Sequence, residues 1–417
     1  MNYEKKKLKD CCVSISDGDH LPPPKAETGV PFITISNIDG NNQLDFSNVM
    51  YVPEEYYNGL PANKKATVGD ILYSVVGSFG KPVYISKDEK FVFQRHIAIL
   101  KPNSDVDSKY LYYTMLNPMF YRMADKLAIG CAQRTITLDA LRNIVIDVPP
   151  IERQQSITNA LKAIDDKITL NNRINDNLEH QLEDIYSYWF TQFDFPNTTG
   201  QPYKAAGGAM LWNEKLKREI PSGWDVKSLG ALCSFRNGIN YDKSVAGDKT
   251  YRIINVRNIS SSSIVLDEKD LDEICLPQKQ GDKYCVANDS VIIARSGIPG
   301  ATRILHKPSD NTIFCGFIIC CTPVDKALQY YLTFYLKQLE GSSATQTGGS
   351  ILQNVSQDTL SSLLVPVPPL PLITRFNEVV LQTIELIYAN TNEINELRSL
   401  RNWLLPMLMN GQATVCN

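Results

Sequence analysis

Apolar side chains recur at alternating steps of four and three along two long stretches of this chain. The first runs through Ile157, Leu161, Ile164, Ile168, Asn171, Asn175, Leu178, Leu182, Ile185 and Trp189. The second runs through Phe376, Val380, Thr383, Ile387, Asn390, Ile394, Leu397, Arg401, Leu404 and Leu408. A 3.5-residue period held this long predicts a helix whose apolar seam faces another helix, rather than a one-sided surface helix. Both seams carry an asparagine at the same relative place, Asn171 and Asn390. A polar seam residue fixes register and partner at some cost in stability. The two helices are therefore expected to pair with each other as an antiparallel coiled coil, with a domain at either end.

Elsewhere the pattern shortens to β-type runs. Phe32 to Ile35, Ile71 to Val76, Val83 to Ile85 and Phe91 to Phe93 are rich in branched and aromatic residues and bounded by turn formers. Tyr251 to Ile254, Val291 to Ala294 and Thr302 to Leu305 repeat the series. Lys109 to Met123 and Leu328 to Leu339 read as helices. The stretch 193–219 holds turn formers without periodicity and reads as a linker.

The landmarks coincide when the chain is laid on itself. Asp139 and Asp358, Leu141 and Leu360, and Pro150 and Pro369 share an offset of 219 residues (139 to 358). Earlier landmarks drift by a residue or two, as with Gly80 and Gly300 or Asn37 and Asn258. A repeat this long is a duplicated domain with its connector, not a solenoid unit. The expected class is α+β: two similar mixed α/β domains in tandem, each followed by a long helix. The boundaries read as domain one 1–148, helix one 149–192, linker 193–219, domain two 220–367 and helix two 368–417. Two similar domains suit a partner that offers two similar sites.

At 417 residues and 43% hydrophobic, the chain can build more than one core. No apolar stretch approaches the roughly 20 residues of a membrane span, and the charged N-terminal residues lack the apolar run of a signal peptide. Ten cysteines without a Cys-x-x-Cys argue for reduced thiols and a cytoplasmic protein, not for a zinc site or a disulfide scaffold. Net charge is −3 and does not advertise nucleic-acid binding. The negative charge sits in the connectors: residues 1–148 balance, and 206–367 carry 17 cations against 16 anions.

Catalytic signatures are missing. Gly77-Ser78-Phe79-Gly80-Lys81-Pro82 has its glycines too close for a phosphate loop, and a proline where the magnesium-binding hydroxyl belongs. Asn117-Pro118-Met119-Phe120 lacks the second proline of an adenine methyltransferase motif and reads as a helix interruption. The four histidines, His20, His96, His180 and His306, show no metal-ligand spacing, and no Gly-x-Ser-x-Gly elbow occurs. Asp165-Asp166 reads as a solvated helix face. The chain is expected to perform no chemistry of its own and to hold no metal.

These residues resemble the DNA-specificity (S) subunit of type I restriction–modification enzymes. The resemblance is carried by Val148-Pro149-Pro150-Ile151-Glu152-Arg153-Gln154-Gln155, by Ala163-Ile164-Asp165-Asp166-Lys167-Ile168, by Tyr188-Trp189-Phe190, by Ile220-Pro221-x-Gly223-Trp224 and by Leu404-Leu405-Pro406. It spans essentially the whole chain, and order and doubling make it specific. The second Pro-Pro departs from the pattern, because Leu370-Pro371-Leu372-Ile373 lacks the Glu-x-Gln that follows the first.

The resemblance implies two target-recognition domains, each reading half of an asymmetric bipartite site in double-stranded DNA. It implies helices that space them and dock two methyltransferase (M) subunits, joined by restriction/translocase (R) subunits. S-adenosylmethionine and ATP with magnesium would then belong to partner subunits, with no cofactor in this chain and no membrane. Base edges are read by forked side chains and phosphates by cations and hydroxyls. The candidates beside the repeat landmarks are Ser78, Lys81, Arg95, Gln133, Arg134 and Thr135 in domain one. In domain two they are Arg236, Asn240, Lys243, Arg295, Ser296, Arg303, Gln346 and Thr347. A stand-alone methyltransferase or nuclease is the alternative, and it would need a cofactor loop. A purely structural coiled-coil protein is a third, and it leaves the two domains without a task.

Overall fold

A computed structural model describes residues 3–18, 22–40, 42–130, 133–241, 247–261, 263–340 and 355–415. The chain forms two compact units, Met1–Ile168 with Asn395–Asn417, and Thr169–Ile394. Each unit contains one repeat and part of both long helices.

Among the described residues of the first unit the strands run β1 (Glu4–Lys7), β2 (Cys12–Asp17), β3 (Val30–Ile33), β4 (Met50–Val52), β5 (Ile71–Ser74), β6 (Pro82–Tyr84), β7 (Val92–Phe93), β8 (Ile97–Pro102) and β9 (Val145–Val148). They form an antiparallel sheet β2-β8-β5-β6, a sheet β4-β3-β7, and the pair β1-β9, which ties the start of the repeat to its end. All four residues of β5 are buried, as a strand sandwiched on both faces requires. In the second unit β10 (Met210–Asn213) and β11 (Arg218–Pro221) form a hairpin. Then follow β12 (Asp225–Ser228), β13 (Cys233–Asn237), β14 (Lys249–Ile254), β15 (Asp272–Leu276), β16 (Val291–Ala294), β17 (Thr302–Ile304), β18 (Thr312–Phe314), β19 (Ile318–Pro323) and β20 (Leu364–Val367). Their order is β13-β19-β16-β17, β15-β14-β18 and β12-β20, the first unit's topology strand for strand.

The repeats solve one burial problem with different chemistry. In the first, Asp70 enters β5 with its carboxylate on the Lys101 ammonium of β8, and also accepts from the amide (2.7 Å) and hydroxyl (3.0 Å) of Thr67. Only 7% of the Asp70 side chain and 17% of that of Lys101 is exposed. At the same place in the second repeat, the Ser290 and Thr322 hydroxyls lie 3.3 Å apart. Likewise Gln154, buried at the start of the first long helix, accepts from the Asp107 amide at 2.8 Å and donates to Pro149 O at 2.9 Å. Its counterpart in the second helix is the buried Ile373. The missing Glu-x-Gln is thus replaced by apolar packing, and the helix still starts directly after Pro-Pro, at Leu370 as at Ile151.

The helical stretch read over Lys109 to Met123 is two helices, Ser108–Leu116 and Pro118–Leu127, broken at the Asn117-Pro118 interruption that the sequence marks. Asn117 caps the second through the Met119 amide at 2.9 Å, with Pro118 in the first turn, where its absent N–H costs nothing. The supposed linker is structured: it holds the β10–β11 hairpin, and Phe193 and Phe195 are buried against Trp224. Aromatic burial organises a segment that has no local periodicity.

The long helices span Ile151–Tyr186 and Leu370–Met409 and run antiparallel within each unit. In the first unit Ile157 and Leu161 share a core with Leu405, Leu408 and partly buried Leu404, and Arg401 meets Asp165 at 2.8 Å. In the second, Asn171 donates to Glu393 (2.7 Å), and Asn390 donates to Asn175 (3.0 Å), which donates to Thr391 (3.3 Å). Leu182 packs with Ile384 and Ile387. Of the predicted seam, Ile168, Asn171, Asn175, Leu182, Ile387 and Ile394 are also buried, while Ile164, Leu178, Asn390 and Leu397 are half-buried. Buried Ile384 lies outside the predicted positions. Replacing Asn175 and Asn390 together by Leu is expected to raise the thermal midpoint while weakening the single register, because a polar seam layer specifies register at a cost in stability. A lowered midpoint would show that the layer is net stabilising.

Glu179 of the first long helix tests burial by pH. Its carboxylate accepts from the Ile264 amide at 3.2 Å, while its other oxygen has no partner among the described residues. Burial pushes the carboxyl above its ordinary value of 4.5, with the Ser263 and Ile264 hydrogen bonds, Lys337 and Arg303 opposing. The folded state therefore holds this proton more tightly than the unfolded state. The stabilisation is full below the unfolded value and is lost as pH rises through the folded one. Glu179→Gln is expected to flatten the fall in stability from about pH 4.5 upward, measured as urea midpoints across that range. Parallel pH profiles for the two proteins would refute it.

Candidate nucleic-acid interface

The central strands β5 and β16 each lead into a tight turn at one end of the sheet. After β5, Gly77 and Gly80 adopt φ of 73° and 90°. A Cβ on Gly80 would come within 2.5 Å of the Tyr121 ring, and the positive φ strains any other residue there. Ser74 clamps the turn: its hydroxyl donates to Ser78 O at 2.8 Å and accepts from the Lys81 amide at 2.9 Å.

Three segments meet beside this turn. Val75 N donates to His96 O (2.9 Å), Ile136 N to Val75 O (3.0 Å) and Gly77 N to Arg134 O (3.1 Å). The six candidates of the first repeat therefore lie on segments that come together at one sheet end. Their availability differs. Ser78, Arg95 and Gln133 are exposed, and Thr135 is half-buried in bridges to Val76 and Ile129. Lys81 reaches the carbonyls of Ile38 and Asp39, both at 3.4 Å. Arg134 bonds Asp125 through Nε (3.1 Å) and a terminal nitrogen (2.7 Å), holding the loop to the helix Pro118–Leu127. Arg95 Nε lies 3.5 Å from His96 Nε2. Burial, then the charge of Arg95, holds the His96 imidazole below its ordinary value, which favours the neutral ring that can accept as well as donate.

The second repeat has the same frame. Gly297 and Gly300 take φ of 79° and 84°. Arg295 N donates to Phe317 O (2.9 Å), Val355 N to Arg295 O (3.1 Å) and Gly316 N to Ile239 O (2.8 Å). Asn240, Arg295 and Ser296 come together there, with Asn240 exposed. Arg295 spends two nitrogens on the carbonyls of Val355 and Gly316, each at 3.3 Å.

Arg236 lies elsewhere in role: its guanidinium bonds Lys283 O (2.8 Å) and Cys285 O (3.1 Å) over the Phe314 ring. Arg303 is buried, bonded to Thr302 O (2.8 Å) and Glu340 (3.2 Å), so it supports the sheet and presents nothing at the surface. Lys243, Gln346 and Thr347 lie outside the described residues. Sequence reading passed over His96 and Phe317, which stand at the same sheet ends; only strand register reveals them.

Among the described residues, no group of three or more His, Cys, Asp or Glu could hold a metal ion, and no helix is long and apolar enough to cross a membrane. The frame is one of turns and hydrogen-bonding side chains, present in both repeats.

Comparison with known proteins gives this frame a family. The model of the type I restriction modification DNA specificity domain matches residues 1–180 and again 221–396. The chain is 22% identical over 454 aligned positions to the type I restriction enzyme HindI specificity subunit of Haemophilus influenzae, covering 93% of this chain and 95% of that one. It is 23% identical over 317 positions to the MjaIX specificity subunit of Methanocaldococcus jannaschii, covering 75% and 71%. Among solved structures, the S subunit of a type I restriction–modification system from M. genitalium superposes with a TM-score of 0.50 at 15% identity, covering 98% and 96% of the two chains. At that identity the likeness concerns the fold.

Proposed function

This chain belongs to the type I restriction–modification DNA specificity family, and we propose that each of its repeats reads one half of an asymmetric bipartite DNA site. One observation carries the reading: a single strand topology occurs twice, and its equivalent turns carry different side chains. Ser78, Arg95, Gln133 and Thr135 would serve one half-site, with Asn240, Arg295 and Ser296 serving the other. Lys81, Lys243, Gln346 and Thr347 remain candidates from sequence. Arg134 and Arg236 would act by holding their loops. The chain itself would be non-catalytic.

The long helices would space the two readers. At 1.5 Å per residue, a helix of about 40 residues is about 60 Å long, or about 17 base pairs at ~3.4 Å each. Half-sites one to two turns apart, at about 10.5 pairs per turn, fall within that reach. Helix residues turned to solvent, Leu170 and Ile174 on the first and Leu400 and Trp403 on the second, suit docking of two methyltransferase subunits. Those subunits would bring S-adenosylmethionine and flip the target adenine. Restriction subunits using ATP and magnesium would complete the assembly.

The test is to co-express the chain with its methyltransferase subunit and map N6-methyladenine across the host genome. Two short fixed blocks around an undefined gap are expected. Co-purification without any motif would defeat the recognition reading, and failure to co-purify would favour a structural coiled-coil role. Methyl transfer by the chain alone would favour a stand-alone methyltransferase.

A further inference from the structure

The two repeats carry different chemistry at one equivalent position. His96 directly precedes β8, and Phe317 directly precedes β19. Pairing puts Ile97 opposite Ser74 in the first repeat and Ile318 opposite Ala294 in the second. The carbonyls of His96 and Phe317 then accept from the first residue beyond the central strand, Val75 or Arg295, each at 2.9 Å. By register the two residues are counterparts. In the first repeat the position is polar, with Arg95 beside a half-buried His96. In the second it is Gly316-Phe317, and the Phe317 side chain is 62% exposed.

The backbone beneath that ring is pinned on both sides. Gly316 N donates to Ile239 O, and Gly316 O accepts from Arg295 at 3.3 Å. A Cβ on Gly316 would stand 2.0 Å from Asn240 Oδ1, so this side of the turn is filled. Phe317 is therefore presented from a fixed backbone between Asn240 and the Arg295-Ser296 turn. Ile298 of that same turn is also exposed.

We propose that Phe317 is a specificity-determining residue of the second repeat and makes an apolar contact with the 5-methyl group of a thymine. This rests on the DNA-recognition reading above. The thymine methyl is the one apolar group that base pairs offer on the major-groove floor, and aromatic side chains contact it. Asn240, packed beside Gly316, and Ser296, next to Arg295 in the turn, offer groups that would hydrogen-bond neighbouring base edges or phosphates. The first repeat, with Arg95 and His96 at this position, reads by hydrogen bonds instead. The two half-sites differ here because the same corner of the same fold is apolar in one copy and polar in the other.

The test uses the full chain in complex with its methyltransferase subunits. After the motif is mapped, a duplex of about 30 base pairs carrying it is prepared with each thymine in turn replaced by deoxyuridine, which removes only the methyl. One replacement is expected to weaken wild-type binding about fivefold or more, the scale of a lost base contact. Phe317→Ala should lose the same factor on the unmodified duplex and nothing further on that deoxyuridine duplex, the non-additivity of a shared contact. Phe317→Leu should retain part of the discrimination. Unchanged affinity of Phe317→Ala overturns the proposal. So does wild-type indifference to every deoxyuridine, which would leave a wedge between base steps or a solvent-exposed ring. Loss of methyltransferase co-purification in Phe317→Ala would make the residue a protein contact and also overturn it. A wild-type complex without a motif defeats the underlying reading instead, and is seen before any variant is made.

Discussion

Lys101→Met is expected to destabilise the first unit by about 3–5 kcal/mol, because it strands a buried carboxylate. Asp70 is 5% exposed, and Lys101 supplies its only formal positive charge among the ion pairs of the described residues. The two Thr67 hydrogen bonds survive the substitution, which puts the loss toward the lower end of that range. The second repeat already shows how the site can do without charge. The double substitution Asp70→Ser with Lys101→Thr copies Ser290 and Thr322, and should recover most of the loss. The urea midpoint of the first unit's unfolding reads both. If Lys101→Met costs less than about 1 kcal/mol, the pair behaves as a surface salt bridge and the argument from burial fails.

Phe376→Ala is expected to cost the second unit about 3–5 kcal/mol, the range for deleting a fully buried aromatic side chain. Phe376 is 0% exposed and lies 4.8 Å from the Phe190 ring in an edge-on contact. Tyr186, Trp189 and Phe334 surround it at ring-centroid distances of 6.0, 5.9 and 6.2 Å. One side chain thus ties the second long helix to the end of the first and to the helix Gln329–Gln338. Its equivalent in the first unit is Ile157, also buried, where the loss of a single methyl in Ile157→Val should cost about 1 kcal/mol. Near-UV circular dichroism should lose much of its aromatic signal in Phe376→Ala while the spectrum of Ile157→Val stays close to wild type. A loss at Phe376 no larger than that at Ile157 would show that the cluster closes over the cavity.

The candidate interface was only partly legible beforehand. Repeat landmarks led to the turns after β5 and β16, because glycines with positive φ and the strands around them leave a local signature. They did not distinguish an arginine that can reach a base from one already occupied. Arg134 holds Asp125, Arg236 holds two carbonyls, and Arg303 is inside the sheet beside Glu340. Each looked alike as a letter. Nothing in the sequence sets Phe317 apart from a core phenylalanine, since only the pairing of β19 with β16 shows that it falls past the strand end.

Sequence alone determined the duplication, the seams of the two helices and the runs of the central strands. All three are carried by the chain locally, in runs of branched and aromatic residues, in heptads and in the 219-residue spacing from Asp139 to Asp358. Tertiary structure decided what no local pattern encodes. The charged strand Glu4–Lys7 exists because Val145–Val148 pairs with it. The hairpin in the supposed linker sits beside a segment organised by Phe193, Phe195 and Trp224. The register of β8 and β19 sets which side chains reach the sheet end, and desolvation sets which polar groups find partners within the fold and which are left for a ligand. These are long-range terms, fixed only when distant segments come together.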